Sequence, residues 1–468
     1  MDDVQNSDPA DLDRFGAAHS PTGTPTPGRE TGYGCGTVPD FDRLPLKASS
    51  IDLEAVGDGA ANLADLLGYL GRRVADVTTL LSDVVVIDLT RALAGPHAAM
   101  MLGDLGARVI KVEAPGSGDD SRGWGPPFVG SADEQVSTYF LSCNRNKESV
   151  TADLKSTDGK DLLRRLVRQA DVLLENFRPG VLDRLSFSTE DLHALNPALV
   201  ICSITGFGHD GPEAGRSGYD QIAQGEAGLM SLTGPSPDEP TKVGLPVGDL
   251  LAGMYAAYGV LAALHERTTT GRGRVVRTSL LSAIVGTHAY QGTRWTVGKQ
   301  VPAAMGNYHP SIAPYGLFDT ATAPVQVACG SEGLWREFAP VVGLDPYDER
   351  FATNMERVLR RDELNALIEA ALAEESAEHW LTRLARAGVP AGKVRTLDDV
   401  YGWEQTRSQG LIVEVDHPVA GAIELPGPPL RFDDLPYAGG RAQHLPPPRL
   451  GEHNESVAAW LADREAAS

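Results

Sequence analysis

Between residues 53 and 80 apolar side chains recur at helical spacing (Leu63, Leu66, Leu67, Leu70, Val74, Val77), which predicts one amphipathic helix. At Val84 the texture changes. Val84-Val85-Val86-Ile87-Asp88-Leu89 is the pattern of a buried strand. Residues 96–105 read as a helix with proline near its first turn and Gly106 at its end, and Arg108–Glu113 reads as a second strand. These segments make a β-α-β unit. A helix over 158–169 and strands at Val172–Glu175 and 199–205 continue the alternation, so the expected fold class is α/β with a mostly parallel sheet.

A long helix is expected over about 250–267, with Met254, Tyr258 and Leu261 on one face. Between about 300 and 385 a strand at 326–328 and helices at 334–342 and 362–373 predict a smaller domain. Residues 1–50 are rich in Pro, Gly, Thr and Asp without sustained period, and read as disordered. Pro- and Gly-rich elements return near the end, up to Pro446-Pro447-Pro448, and no internal repeat is visible.

The formal charge of −22 disfavours nucleic acid and anionic membrane surfaces as partners. It also makes local basic clusters informative, because an acidic chain must place positive charge deliberately to hold an anion. No apolar run approaches the ~20 residues of a membrane span, and the acidic N-terminus has no secretion-signal pattern. Cys35, Cys143, Cys202 and Cys329 lie far apart, which argues against a disulfide framework or a structural zinc and for a cytoplasmic setting.

Glu113, at the end of the second strand, stands where a ribose-binding acid would sit. However, the turn Thr90-Arg91-Ala92-Leu93-Ala94-Gly95-Pro96 lacks the G-x-G-x-x-G of dinucleotide folds. The chain has no P-loop and no H-E-x-x-H, and Cys329-Gly330-Ser331-Glu332-Gly333 lacks the first glycine of a nucleophile elbow. Three clusters remain. Residues 116–127 form a Gly-rich loop carrying Arg122, which by composition is a surface loop. Glu175-Asn176-Phe177-Arg178-Pro179-Gly180 follows a strand, where parallel sheets place their ligands, although a plain strand-ending turn explains it equally well. Gly244-Leu245-Pro246-Val247-Gly248-Asp249-Leu250 sets a carboxylate immediately before the long helix. There Asp249 is expected to cap the helix, whose N–H groups would also favour its charged form, the form any carboxylate nucleophile needs.

Together and in this order, the clusters resemble the family III CoA-transferases, the group of formyl-CoA transferase and carnitine CoA-transferase. The resemblance runs from Thr78 to His453. It rests on eleven stretches, at 85–106, 109–113, 118–127, 144–155, 175–184, 196–211, 218–234, 247–251, 306–315, 388–394 and 450–453. It implies that Asp249, in the Val247-Gly248-Asp249 motif, is the nucleophile that carries acyl and CoA groups, with no metal or permanent cofactor. CoA would be held near Leu93 and Ala94, by the segment from Ala152 to Lys155, by Asn176, Phe177 and Arg184, and by the turn from Arg216 to Tyr219. The family often has an arginine where this chain has Ala114, so that phosphate contact is expected either to be absent or to come from Lys111, Arg91 or Lys155. Tyr139, Asn144, Tyr308 and His309 are candidates for the acyl pocket.

The implied fold is a Rossmann-like large domain built from N- and C-terminal parts, with a smaller α+β domain, in an interlocked homodimer. The expected divisions are an acidic extension over 1–76, a large CoA-binding domain over 77–285, a small domain over 300–385 and a C-terminal return over 386–468. Acyl-CoA racemases of the same superfamily are the rival reading. They carry a His–Asp pair where this chain has Tyr219-Asp220, and tyrosine is a poor base at neutral pH; His209 is the nearest substitute. A non-catalytic CoA-binding protein is the alternative from another class. Met305-Gly306-Asn307-Tyr308-His309-Pro310 lacks the glycine run of formyl-CoA transferase, which points away from formyl or oxalyl groups and toward a dicarboxylic or medium-sized acid. Up to Asp83 the chain carries 14 acidic and 6 basic side chains. That segment is either a real acidic arm or the product of a start codon placed upstream of a true start near Val77.

Overall fold

The computed structural model describes residues 80–467. The expected early helix and the reading of residues 1–50 lie outside the described residues. Six parallel strands form the main sheet. They are β1 (Val85–Asp88), β2 (Arg108–Glu113), then, after the small hairpin of β3 (Phe128–Gly130) and β4 (Gln135–Ser137), β5 (Lys147–Thr151), β6 (Val172–Glu175), β7 (Val200–Thr205) and β8 (Val275–Ser279). Their spatial order is β5-β2-β1-β6-β7-β8, with every pairing parallel. The chain therefore winds outward from β1 in one direction and then from β6 in the other. Such a sheet opens a crevice at the carboxyl ends of β1 and β6.

Both sheet faces are covered, as the unbroken apolar strands require. Val86, Val109, Leu174, Cys202 and Ile204 face one layer, packed on helices α1 (Ala94–Asp104) and, further along, the long helix at 247–270. Ile87, Ile110, Val112, Leu173 and Ile201 face the other, under α2 (Thr157–Gln169) and the terminal helix Asn454–Ala466. The terminal helix is tied to β5 at its start: His453 N donates to Ser149 O, and Thr151 N donates to Asn454 Oδ1. The large domain is thus closed by the end of the chain.

Two helices complete the site's frame: α3 (Asp220–Glu226) and α4 (Val247–Thr270). The long helix begins at Val247, three residues before the expected 250, so Asp249 lies inside its first turn and Pro246 takes the cap position. Gly253 crosses α1 so closely that a Cβ there would stand 2.6 Å from Ala94 O. By length and composition α4 would pass for a membrane span, contrary to the expectation drawn from unbroken apolar runs. It packs instead into the core through Ala252, Ala256, Ala257 and Val260.

A separate apolar cluster from Ala313 to Val389 surrounds Trp335, Phe338 and Trp380. Its three-stranded antiparallel sheet joins Tyr315–Phe318, Val325–Ala328 and Ala391–Lys393. The last of these strands lies beyond the expected boundary at 385. The hairpin Ile412–His417 with Gly421–Pro426 packs near β3 and β4, and no sequence pattern pointed to it.

Candidate active site

A cavity of about 620 Å³ opens at the reversal point of the sheet. Arg91, Ala92, Leu93 and Ala94 line it after β1, and Asn176, Phe177, Arg178 and Pro179 line it after β6. The two loops are tied together: Arg91 N donates to Asn176 Oδ1 at 2.9 Å, and Asn176 Nδ2 donates to Arg91 O at 2.8 Å. Further along the rim, Gly206 and Gly218 cross with backbone in contact, where a Cβ on Gly206 would lie 2.8 Å from Gly218 Cα. That crossing holds the turn from Arg216 to Tyr219 over the cavity. Arg91, Lys155, Arg178 and Arg216 set four cationic side chains around it, among the four carboxylates of Glu113, Asp120, Asp153 and Asp249. In a chain of charge −22 this even balance makes the cleft less acidic than the molecule as a whole.

Asp249 reaches the same cavity from the first turn of α4. The expectation that helix N–H groups would favour its charged form is not met, because another carboxylate takes them. Asp220 Oδ1 accepts from Gly248 N at 2.7 Å and from Asp249 N at 3.3 Å. Gln224 Nε2 holds the other oxygen, Asp220 Oδ2, at 2.7 Å. Asp249 is left with burial and the Asp220 charge, which raise its pKa from 3.8 to about 7. The result is an acid half ionised at neutrality and far more basic than an ordinary aspartate. From sequence Asp220 enters only through the racemase comparison, and its bonds to the start of α4 are not foreseen. Its capping bonds span 28 residues, a distance at which no local pattern operates.

Of the residues expected to hold CoA, Leu93, Ala94, Ala152, Lys155, Asn176, Phe177, Arg216 and Tyr219 line the cavity. Arg184 does not; Val181 and Leu185 are the residues presented there, and Arg184 is exposed beside Gly180. Lys111 is not available for a phosphate. It is fully buried, with Nζ 2.8 Å from Asp119 Oδ2 and 3.8 Å from Asp88 Oδ2. Arg122 of the Gly-rich loop donates to Glu113 through Nε and Nη2, and its guanidinium lies 3.8 Å over the Phe140 ring.

The acyl-pocket candidates separate. Tyr139 is half-buried near Asp249; burial and the Asp249 charge push its pKa up, so its phenol stays a donor. Asn144 is fully buried, and its amide binds Phe140 O and Lys147 Nζ, each at 2.9 Å. It supports structure and does not reach the cavity. Tyr308 and His309 sit on the small domain, where Tyr308 bonds Glu369 and His309 stacks between Tyr290 and Tyr315. They line a different hollow. His209, the substitute base of the racemase reading, is tied at 2.7 Å to Ser203 Oγ and is absent from the cavity wall.

A parallel sheet with this reversal, and a cleft at its carboxyl edge where basic side chains surround an acid of raised pKa, have the layout of an α/β enzyme site. The pattern of CoA-transferase family III matches residues 81–454, and the chain belongs to that family. The chain is 37% identical to a mouse (Mus musculus) succinyl-CoA:glutarate CoA-transferase, over 88% of this chain and 93% of the relative. It is 39% identical to a succinate–glutarate CoA-transferase of Agrobacterium fabrum, over 81% and 95%. A solved CAIB/BAIF family protein from Brucella suis is 40% identical with a TM-score of 0.73, over 82% of this chain and 99% of its own. The protein is a CoA-transferase of this family.

Proposed function

We propose that this enzyme moves CoA between two carboxylic acids through covalent intermediates on Asp249. The observation that carries the reading is the placement of Asp249 at the cavity, with burial and Asp220 raising its basicity and, among the described residues, no cation lowering it. Its carboxylate attacks the donor thioester carbonyl, forming a mixed anhydride and expelling CoA thiolate. The thiolate attacks the aspartyl carbonyl, the donor acid leaves, and an aspartyl-CoA thioester remains. An acceptor carboxylate attacks that thioester, giving a second anhydride and thiolate again. The thiolate then takes the acceptor acyl group and frees Asp249. Every step exchanges one acyl bond for another, so a site that excludes water and donates to each oxyanion suffices.

CoA lies across the sheet reversal, its phosphates near Arg91, Lys155, Arg178 and Arg216 and its thiol toward Asp249. Tyr139 donates near the reacting carbonyl. The acyl groups are small dicarboxylates of the succinyl and glutaryl type; the names of the two relatives support this class. The working form is a homodimer, in keeping with the exposed apolar side chains Met254, Tyr258, Tyr290, Trp295, Val297 and Val301. A second copy brings Tyr308 and His309 toward the acyl end. Scattered, buried free cysteines suit the cytoplasm. The racemase reading is weaker, because His209 bonds Ser203 Oγ and Tyr219 lies 68% exposed at the rim.

The test is mass spectrometry of the Asp249 peptide after incubation with succinyl-CoA or glutaryl-CoA and trapping by hydroxylamine or borohydride. A hydroxamate or alcohol at Asp249, absent in Asp249→Asn, supports the covalent route. Transfer activity without any adduct at Asp249 overturns it.

A further inference from the structure

The turn of residues 90–92 that leads into α1 is held at every backbone polar group by a side chain. Thr90 N donates to Asp88 Oδ1, and Thr90 O accepts from Lys111 Nζ at 2.7 Å. Arg91 N and Arg91 O are both taken by the Asn176 amide. Ala92 N donates to Asp119 Oδ1 at 3.1 Å, and Ala92 O accepts from the buried Cys143 thiol at 3.7 Å. Ala92 has φ of 68°, a left-handed conformation that alanine adopts only under constraint. By contrast, the first turn of α1 that follows has no side-chain cap. Its start lines the cavity at Leu93 and Ala94.

The clamp is anchored by charge. Lys111, fully buried on β2, bridges Asp119 and the Thr90 carbonyl, while Lys147 on β5 bonds Asp88 Oδ2 at 2.9 Å and Pro96 O at 2.8 Å. Ion pairs this deep add little net stability over apolar packing, so they are better explained by the geometry they impose. We infer that the buried Lys111–Asp119 pair is a positioning device. It forces Ala92 into its left-handed conformation and thereby aims the uncapped start of α1 at coenzyme A. This rests on the CoA reading of the cavity; the positioning itself is measurable without any ligand.

The experiment compares wild type, Asp119→Asn, Ala92→Gly and the double variant. Hydrogen exchange on the peptide covering 89–95 reads the turn, and calorimetric titration with coenzyme A reads its effect. Asp119→Asn is expected to exchange faster at 90–92, with other regions unchanged, and to bind coenzyme A about tenfold more weakly. Glycine at 92 is expected to restore most of that affinity in the double variant, because it adopts positive φ without constraint. On the wild-type background it sets the baseline against which the double variant is read. A merely structural Asp119 would lower melting temperature without any rescue from residue 92. Unchanged exchange at 90–92, or an affinity loss that glycine does not recover, overturns the proposal. If Asp119→Asn does not fold, Ala92→Val serves, since a β-branched residue resists φ of 68°. Undiminished coenzyme A affinity in Ala92→Val then overturns it. Should wild type bind no coenzyme A, the cavity's reading fails, while the exchange comparison still judges the clamp.

Discussion

Asp88 and Asp249 are both carboxylates withdrawn from water in the same domain, yet one titrates at about 2 and the other at about 7. Burial pushes both upward. Asp88 then meets Lys111, Lys147 and the Thr90 hydroxyl, which more than reverse the effect. Asp249 meets only a second carboxylate, Asp220. The two regions border one cavity wall and divide its work. Where charges are paired, they fix backbone; where an acid is left without a cation, it keeps the basicity that nucleophilic attack needs. Local chemistry alone does not distinguish the two aspartates, and their partners do.

The hardest blow to the unpaired side is Asp249→Asn. Transfer activity should fall by at least about 10³-fold in an acyl-CoA exchange assay. The same substitution should stabilise the protein in a pH-dependent way. Between the unfolded pKa of 3.8 and the folded value of about 7, the native state holds a proton that the unfolded chain has lost. Stability therefore declines as pH rises through that window and stays lowered above it. Asparagine removes this liability, so its gain should reach at most about 4 kcal/mol at pH 8 and about 2 at pH 5.5. Urea unfolding at both pH values measures it. A gain that does not grow with pH would mean Asp249 is not the uncompensated group.

On the paired side Lys111→Met should do the opposite. It leaves Asp88 and Asp119 buried with less cationic charge, and should lower stability by about 3–5 kcal/mol at neutral pH, read by the same unfolding measurement. A loss under about 1 kcal/mol would show that Lys147 carries the pairing without it.

The contrast also marks what the sequence could reveal. β1, β2, β6, β7, α1 and α2 follow from period and from short patterns, because each depends on residues within a few positions, whereas β5 and β8 carry no such signal and the role of Asp249 comes from the family resemblance. The charged clamp does not. Lys111 and Glu113 alternate with Ile110 and Val112 as if facing solvent, and what buries them arrives from the loop at 119–122, from β5 and from Pro448. Asn176 drew attention as a ligand contact, but its amide closes on Arg91, 85 residues away. The start of α4 was placed late because Pro246, Val247 and Gly248 look like a breaker. Tertiary contact lets proline serve as the cap position, with Asp220 supplying the capping oxygen.

Asp220→Asn separates geometry from charge at the nucleophile. Asparagine keeps an oxygen for the amides of Gly248 and Asp249 and removes the repulsion. Activity in wild type should rise with pH through about 7 as Asp249 ionises. In Asp220→Asn that limb should move to lower pH by on the order of one unit, with the plateau rate reduced because a less basic carboxylate attacks more slowly. Full kcat–pH profiles give both. A limb that stays in place would assign the whole shift to burial.

Arg216→Ala should have the smallest effect, and it tests whether rim charges resemble the clamp. Arg216 lines the cavity, yet it is exposed, shares its charge with Glu226 and Glu213, and lies 4.6 Å over the Phe207 ring. Water and salt screen such a group, so it contributes attraction at long range and little rigidity. KM for acyl-CoA should rise about threefold at low salt. The rise should vanish as ionic strength increases, with kcat and melting temperature unchanged. If kcat falls instead, or the loss persists at high salt, Arg216 orders the turn over the cavity as the buried lysines order the turn below it, and the division between the two regions would have to be redrawn at the rim.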